Sequence, residues 1–112
     1  MRWHSVVTIM YEDMITLIQH TDTTDEYGDS VTTQTERSVY VETMSISQKE
    51  FYQANEQGLK PEMKFKLADF EDYQNEKLVR YGEFVYKVLR TYKTQRNELE
   101  ITVHGGVKDV SS

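Results

Sequence analysis

The sequence predicts a mainly all-β protein: a small antiparallel β-barrel of about six strands, with one short helix inserted after the second strand. Three observations predict it. Apolar and polar residues alternate at period 2 along short runs, most cleanly in Met63–Leu67 and Leu99–Val103, as in strands with one buried face. Aromatics are 12% of the chain, with eight tyrosines, which suits pleated, half-buried surfaces better than a helical bundle. Only Ile46 to Pro61 carries helix signals at both ends.

The chain divides into an N-terminal extension or arm (1–13), a barrel domain (14–106) and a flexible tail (107–112). Trp3, Val6, Val7 and Ile9 in the first part specify no definite element. Met14 to His20 is rich in β-branched residues and reads as a strand. Thr21 to Asp29 reads as a polar loop, with Gly28 at its positive-φ position. Val31 to Ile46 is one long extended run. Val39 and Val41 share a face opposite Tyr40 and Glu42, and the apolar phase then moves to Met44 and Ile46. That switch predicts a bulge or sharp bend near Glu42-Thr43.

The helix is expected near 48–57. Ser47 and Glu50 have capping-box spacing, Ile46 and Phe51 that of a hydrophobic staple. Gly58 supplies a left-handed stop, with Lys60 and Pro61 beyond it. Its apolar content is thin, namely Phe51, Tyr52 and Ala54, then Leu59 past the end. It is therefore expected on the rim of the barrel, as a plug or as a functional surface.

Glu62 to Leu67 follows as a strand with Met63, Phe65 and Leu67 inward and Lys64 and Lys66 outward. Ala68 to Asn75 is a polar loop. Lys77–Arg80 and Phe84–Tyr92 are strands joined by a tight turn at Tyr81-Gly82-Glu83. In the second, Phe84, Tyr86 and Val88 line one face, Val85 and Leu89 the other. After a turn at Thr94–Asn97, Glu98 to His104 closes the series and Gly105-Gly106 ends it.

A chain of 112 residues supports one domain and one core. It has no cysteine, hence no disulfide framework and no thiolate metal site. No stretch approaches the ~20 apolar residues of a membrane span. Val6 to Met10 is too short for a signal-peptide core. The net charge of −6 disfavours tight binding to duplex phosphates. Charge is also segregated. Glu12 to Glu62 holds eleven acids and three bases, whereas Lys77 to Arg96 holds six bases and one acid. Beyond two solvated faces, this predicts contacts between subunits, acidic side to basic side. The acids are Asp22, Asp25, Glu26 and Asp29; the bases are Lys87, Arg90, Lys93 and Arg96. Arg90 and Lys87 are expected on different faces of their strand.

No catalytic constellation emerges. His4, His20 and His104 lack ligand spacing. Asp22, Asp25 and Asp29 do not follow the calcium-loop spacing. There is no phosphate-cradling glycine loop. Glu98 and Glu100 lie on a solvent face without a pocket signal. No enzyme activity, metal or cofactor is expected. Two binding classes remain. One is an OB-like barrel that stacks single-stranded nucleic acid on tyrosines beside Arg80, Lys87, Arg90 and Lys93. Against it stand the net charge and the helix position, since the OB helix usually follows the third strand. The other is a structural ring subunit.

The order of Met14-Ile-Thr-Leu-Ile, Asp25-Glu-Tyr-Gly-Asp, Val39-Tyr-Val-Glu, Ser47-x-x-Glu-Phe-Tyr-Gln-Ala, Gly58-Leu-Lys-Pro and Val85-Tyr-Lys-Val-Leu-Arg-Thr-Tyr resembles the head-tail joining, or head-closure, proteins of tailed bacteriophages and prophages. The resemblance covers Met10 to Gly106 and is most specific from Glu50 to Leu67. Residues 1–9 fall outside it, and Met10-Tyr-Glu-Asp resembles a more typical start. The resemblance implies a connector subunit made in the bacterial cytoplasm and located in the virion at the head-tail interface. It would form a ring, commonly twelvefold, below the portal and adaptor, close the DNA exit channel and offer a docking surface to tail proteins. DNA would be passing cargo, and no membrane would be involved. An acidic channel wall would let DNA slide. The helix region, with Ser47, Glu50, Phe51, Tyr52, Leu59, Lys60 and Pro61, is the candidate gating or interface segment.

Overall fold

The computed structural model describes residues 11–56, 58 and 60–109. Its strands are β1 (Asp13–Thr24), β2 (Ser30–Met44), β3 (Pro61–Leu67), β4 (Leu78–Tyr81), β5 (Phe84–Lys93) and β6 (Leu99–Lys108), with helix α1 (Gln48–Glu56) between β2 and β3. All neighbours are antiparallel, and the sheet closes in the order β1-β2-β3-β6-β5-β4. The predicted class and the place of the helix are both observed.

The alternating apolar residues converge inside. Ile15, Leu17, Val41, Phe65, Leu67, Val79, Tyr86, Leu99, Ile101 and Val103 form one buried cluster. Phe65 is fully buried, and the Tyr81 ring meets it edge-on at 5.1 Å. Burial of these side chains is the main stabilising term. Lys64 and Lys66 point outward as expected. Each still finds carboxylates: Lys64 those of Glu50 and Glu100, Lys66 those of Glu42 and Glu98.

Three local expectations change. The first concerns Thr21–Asp29. Strand β1 runs on to Thr24, and only residues 25–29 turn, with Gly28 at φ +84°. Asp25 Oδ1 accepts from the N–H groups of Tyr27 and Asp29, which shapes the turn. Threonine-rich residues here extend because β-branched side chains favour strands even when both faces are wet.

The second concerns Glu42-Thr43. No register shift occurs there. Instead β2 changes partner at Val41, which faces Asp13 on β1 and Leu67 on β3. Alternation continues in register, with Thr43 exposed and Met44 half-buried, so the apolar phase moves without an inserted residue. The shifts fall elsewhere. Glu62 is the extra residue on β3, Leu89 on β5, and the Gly105-Gly106 pair widens β6 opposite Tyr86. Such bulges bend strands and so help a small barrel close.

The third concerns the C-terminal end. Gly105-Gly106 does not terminate β6. Gly105 adopts φ +64°, Gly106 donates its N–H to Glu62 Oε1 at 3.0 Å, and pairing resumes at Val107 and Lys108. Residues 107 and 108 thus belong to the sheet and not to a tail; 110–112 lie outside the described residues. So do 1–10, while Tyr11 to Asp13 lead directly into the barrel.

Candidate functional site

Two features stand apart from the barrel wall: helix α1 and the distal part of the β1–β2 hairpin.

Helix α1 begins as its sequence predicts. The Glu50 N–H donates to Ser47 Oγ at 3.1 Å. Gly58, at φ +76°, donates its N–H to the Asn55 carbonyl at the other end. The capping box is not reciprocal, however. The Glu50 carboxylate turns toward the sheet. Its Oε1 accepts from Lys64 Nζ at 2.7 Å and its Oε2 from Arg90 at 3.0 Å. The reason lies in the register. Lys64 on β3, Thr102 on β6 and Arg90 on β5 stand side by side on the outer face, and the two cations outcompete a single backbone N–H. Burial pushes the Glu50 carboxyl up, but the bonds from Lys64 and Arg90 outweigh it and hold the group below the usual carboxylate range.

Among the described residues this ionic clasp is the main tie between helix and barrel. Ala54 is the only buried apolar side chain described in α1. Phe51 is 41% exposed and Tyr52 62% exposed, their rings meeting edge to face at 6.1 Å. The staple partner Phe51 is thus open to solvent. Beside the clasp lies an open cleft of about 490 Å³ bordered by Glu50, Gln53, Lys64, Arg90, Tyr92 and Glu100. Lys60 is exposed and Pro61 buried at the start of β3. Leu59 lies outside the described residues.

The second feature follows from unequal strand lengths. Strand β4 pairs with β1 only as far as Ile18, opposite Leu78. Beyond it the β1–β2 hairpin continues for six further pairs, from Gln19–Thr35 to Thr24–Ser30. On the other side, β2 meets β3 only from Val41 onward. The hairpin is therefore an arm whose outer strand edges pair with no other strand among the described residues. His20 to Glu36 are all exposed, and Tyr27 at the tip is 81% exposed.

A second belt of ion pairs ties sequence-distant parts together. Arg80 binds Glu36 at 2.9 Å and Asp109 at 2.8 Å. Arg37 binds the buried Glu76 at 2.7 Å. Tyr11 donates its hydroxyl to Glu98 at 2.9 Å, and burial together with that carboxylate pushes the phenol up to about 12. Among the described residues no group of three or more histidines and carboxylates is placed to hold a metal ion. Among the described residues no helix is long and apolar enough to cross a membrane.

Compared with known proteins, the chain matches no family model and no curated protein.

The residues singled out for inter-subunit charge separate into engaged and free. Arg90 is taken by Glu50 of its own chain, and the Lys93 ammonium sits 4.1 Å from the Phe70 ring centre. The extra residue at Leu89 places both Lys87 and Arg90 on exposed positions, contrary to the expectation of different faces. Lys87 and Arg96 have no ion-pair partner among the described residues. Of the acids, Asp25 holds the turn and Asp22 accepts from Thr32, whereas Glu26 and Asp29 leave their carboxylates in solvent. The sequence reading missed Lys64 as a clasp residue and Lys77 as Lys87's neighbour. Period 2 does mark Lys64 as outward, but its partners depend on sheet order.

Proposed function

We propose that this protein is a structural ring subunit of a tailed-phage head-to-tail connector. In this reading it sits below the portal and adaptor, closes the DNA exit channel and offers a surface to tail proteins. The supporting observation is α1, inserted after the second strand. Among the described residues it is held by one carboxylate and one buried alanine, with Phe51 and Tyr52 largely in solvent. A segment so lightly attached can swing between a free and an assembled position at low cost. The most specific stretch of the sequence resemblance, Glu50 to Leu67, takes in most of this helix. The net charge of −6 suits a wall past which DNA moves without sticking.

The nucleic-acid reading needs Arg80, Lys87, Arg90 and Lys93 free to meet phosphates. Arg80 and Arg90 are already bound to carboxylates, and Lys93 lies on Phe70. The ring reading therefore has the better physical support. Its test is electron microscopy of this protein mixed with the portal and adaptor proteins of its source phage. An added ring below the adaptor is expected. A protein that leaves the portal complex unchanged overturns the proposal.

A further inference from the structure

We propose that the β1–β2 arm of one subunit docks on the β4–β5 face of a second copy, with Glu26 and Asp29 meeting Lys77 and Lys87. The choice of a second copy rests on the ring reading; the choice of surface rests on the arm itself.

A two-stranded ribbon with neither edge paired is marginal in water and invites a further contact. At ~3.3 Å per residue its six extra pairs reach roughly 20 Å beyond the barrel, far enough to cross onto a neighbour. Residues 19–35 contain four carboxylates, six threonines and no lysine or arginine. Two arms side by side would bring these like charges together, so arm-to-arm pairing is disfavoured. The arm fits a cationic surface instead.

The chain offers one. Lys77 and Lys87 are both exposed; Lys77 immediately precedes β4, and Lys87 lies within the neighbouring β5. The N–H of Val88 donates to the Lys77 carbonyl at 2.9 Å, and Lys87 stands opposite Leu78. Neither lysine has an ion-pair partner among the described residues. The other cations of the basic stretch are less available. Arg80 and Arg90 are paired, Lys93 covers Phe70, and Arg96 sits on the separate β5–β6 turn, away from the Lys77–Lys87 pair. The contact joins two different patches of one subunit. It is therefore heterologous, the kind that closes rings.

The test is carbodiimide cross-linking, which joins a carboxylate directly to an amine in contact with it. Full-length ¹⁴N and ¹⁵N chains are mixed, alone and with portal complex, and the links are mapped by mass spectrometry. Links between Glu26 or Asp29 of one isotope and Lys77 or Lys87 of the other are expected. Reversal of the arm (Glu26→Lys with Asp29→Lys) or of the face (Lys77→Glu with Lys87→Glu) should abolish them. An equal mixture of the two reversed chains should restore arm-to-face links. No mixed-isotope links, links only to other lysines, or no restoration in the mixture overturns the inference. If the links form in free protein that does not bind the portal, the contact stands and the ring reading falls. If the protein joins the portal complex while the arm links only to other proteins, the ring reading stands and this contact falls.

Discussion

Glu50→Gln tests what holds the helix. The amide keeps the size and the first helical turn but removes the charge that Lys64 and Arg90 share. Lys64 has a side chain only 10% exposed, and its remaining carboxylate is Glu100 at 3.4 Å. A hydrogen bond between charged groups at such a site contributes about 1.5 kcal/mol, the low end for charged partners because Glu100 compensates in part. Arg90 is 41% exposed, so its bond is screened and adds about 0.5 kcal/mol. Together the loss is about 2 kcal/mol, or roughly 30-fold in an opening equilibrium. Against this, Ala54 buries a single methyl group, worth about 1 kcal/mol or less. Amide protons of residues 51–56 should therefore exchange roughly 30-fold faster in the variant by hydrogen exchange. Those of β3 and β6 should be unchanged within about threefold, because the barrel core is not touched. Helix protection equal to that of the parent protein would refute the clasp as the main attachment. A uniform loss across the sheet would show that Glu50 supports the whole fold and not the helix alone.

Ser47→Ala removes the acceptor of the Glu50 N–H and should cost about 0.5–2 kcal/mol, seen as fraying of the first turn of α1 by hydrogen exchange. Because Glu50's folded pKa lies below its unfolded value near 4.5, the clasp contributes fully above that pH and is lost as the pH falls through the folded value; helix protection should drop in acid before the barrel melts. Tyr11 has the opposite sense: its folded pKa is raised to about 12, so its contribution is present below the unfolded value of 10.0 and lost as pH rises toward 12; burial raises Tyr73 and Tyr86 as well, so an ultraviolet titration should show a late-ionising set of tyrosines that loses one member in Tyr11→Phe. Gly106→Ala places a Cβ against the Tyr86 ring, with Cδ1 only 2.7 Å away, and should cost about 1–3 kcal/mol in urea unfolding. A neutral result would mean that the ring and the bulge repack freely.

The barrel was legible in the sequence because its inner face is apolar and its outer face is not. Met63 to Leu67 and Leu99 to Val103 each declare a strand and its inward side by alternation alone. The helix was legible from its ends, since Ser47 and Gly58 act on the nearest backbone groups. These are local effects, and local sequence is enough to specify them. Only half of the arm was legible: Val31–Thr35 reads as part of a long extended run, as β2 shows, whereas Thr21–Thr24 has the polarity of a loop, because alternation marks a strand only when one face is buried and these residues are exposed on both sides. Likewise Gly105-Gly106 reads as a stop, yet within the sheet the pair makes a bulge facing Tyr86 and Glu62. Which charges are free was decided only by the closed sheet. Its order brings Arg90 on β5 beside Lys64 on β3 through Thr102, so that one carboxylate on α1 engages both. Closure likewise sets Arg80 against Glu36, forty-four positions apart in the chain. Much of the charge segregated along the sequence is thus taken up in ion pairs within the subunit, whereas Glu26, Asp29, Lys77 and Lys87 are among the described residues left without one. That selection depends on strand order and register, because an ion pair requires its groups to meet in space, whatever their separation along the chain.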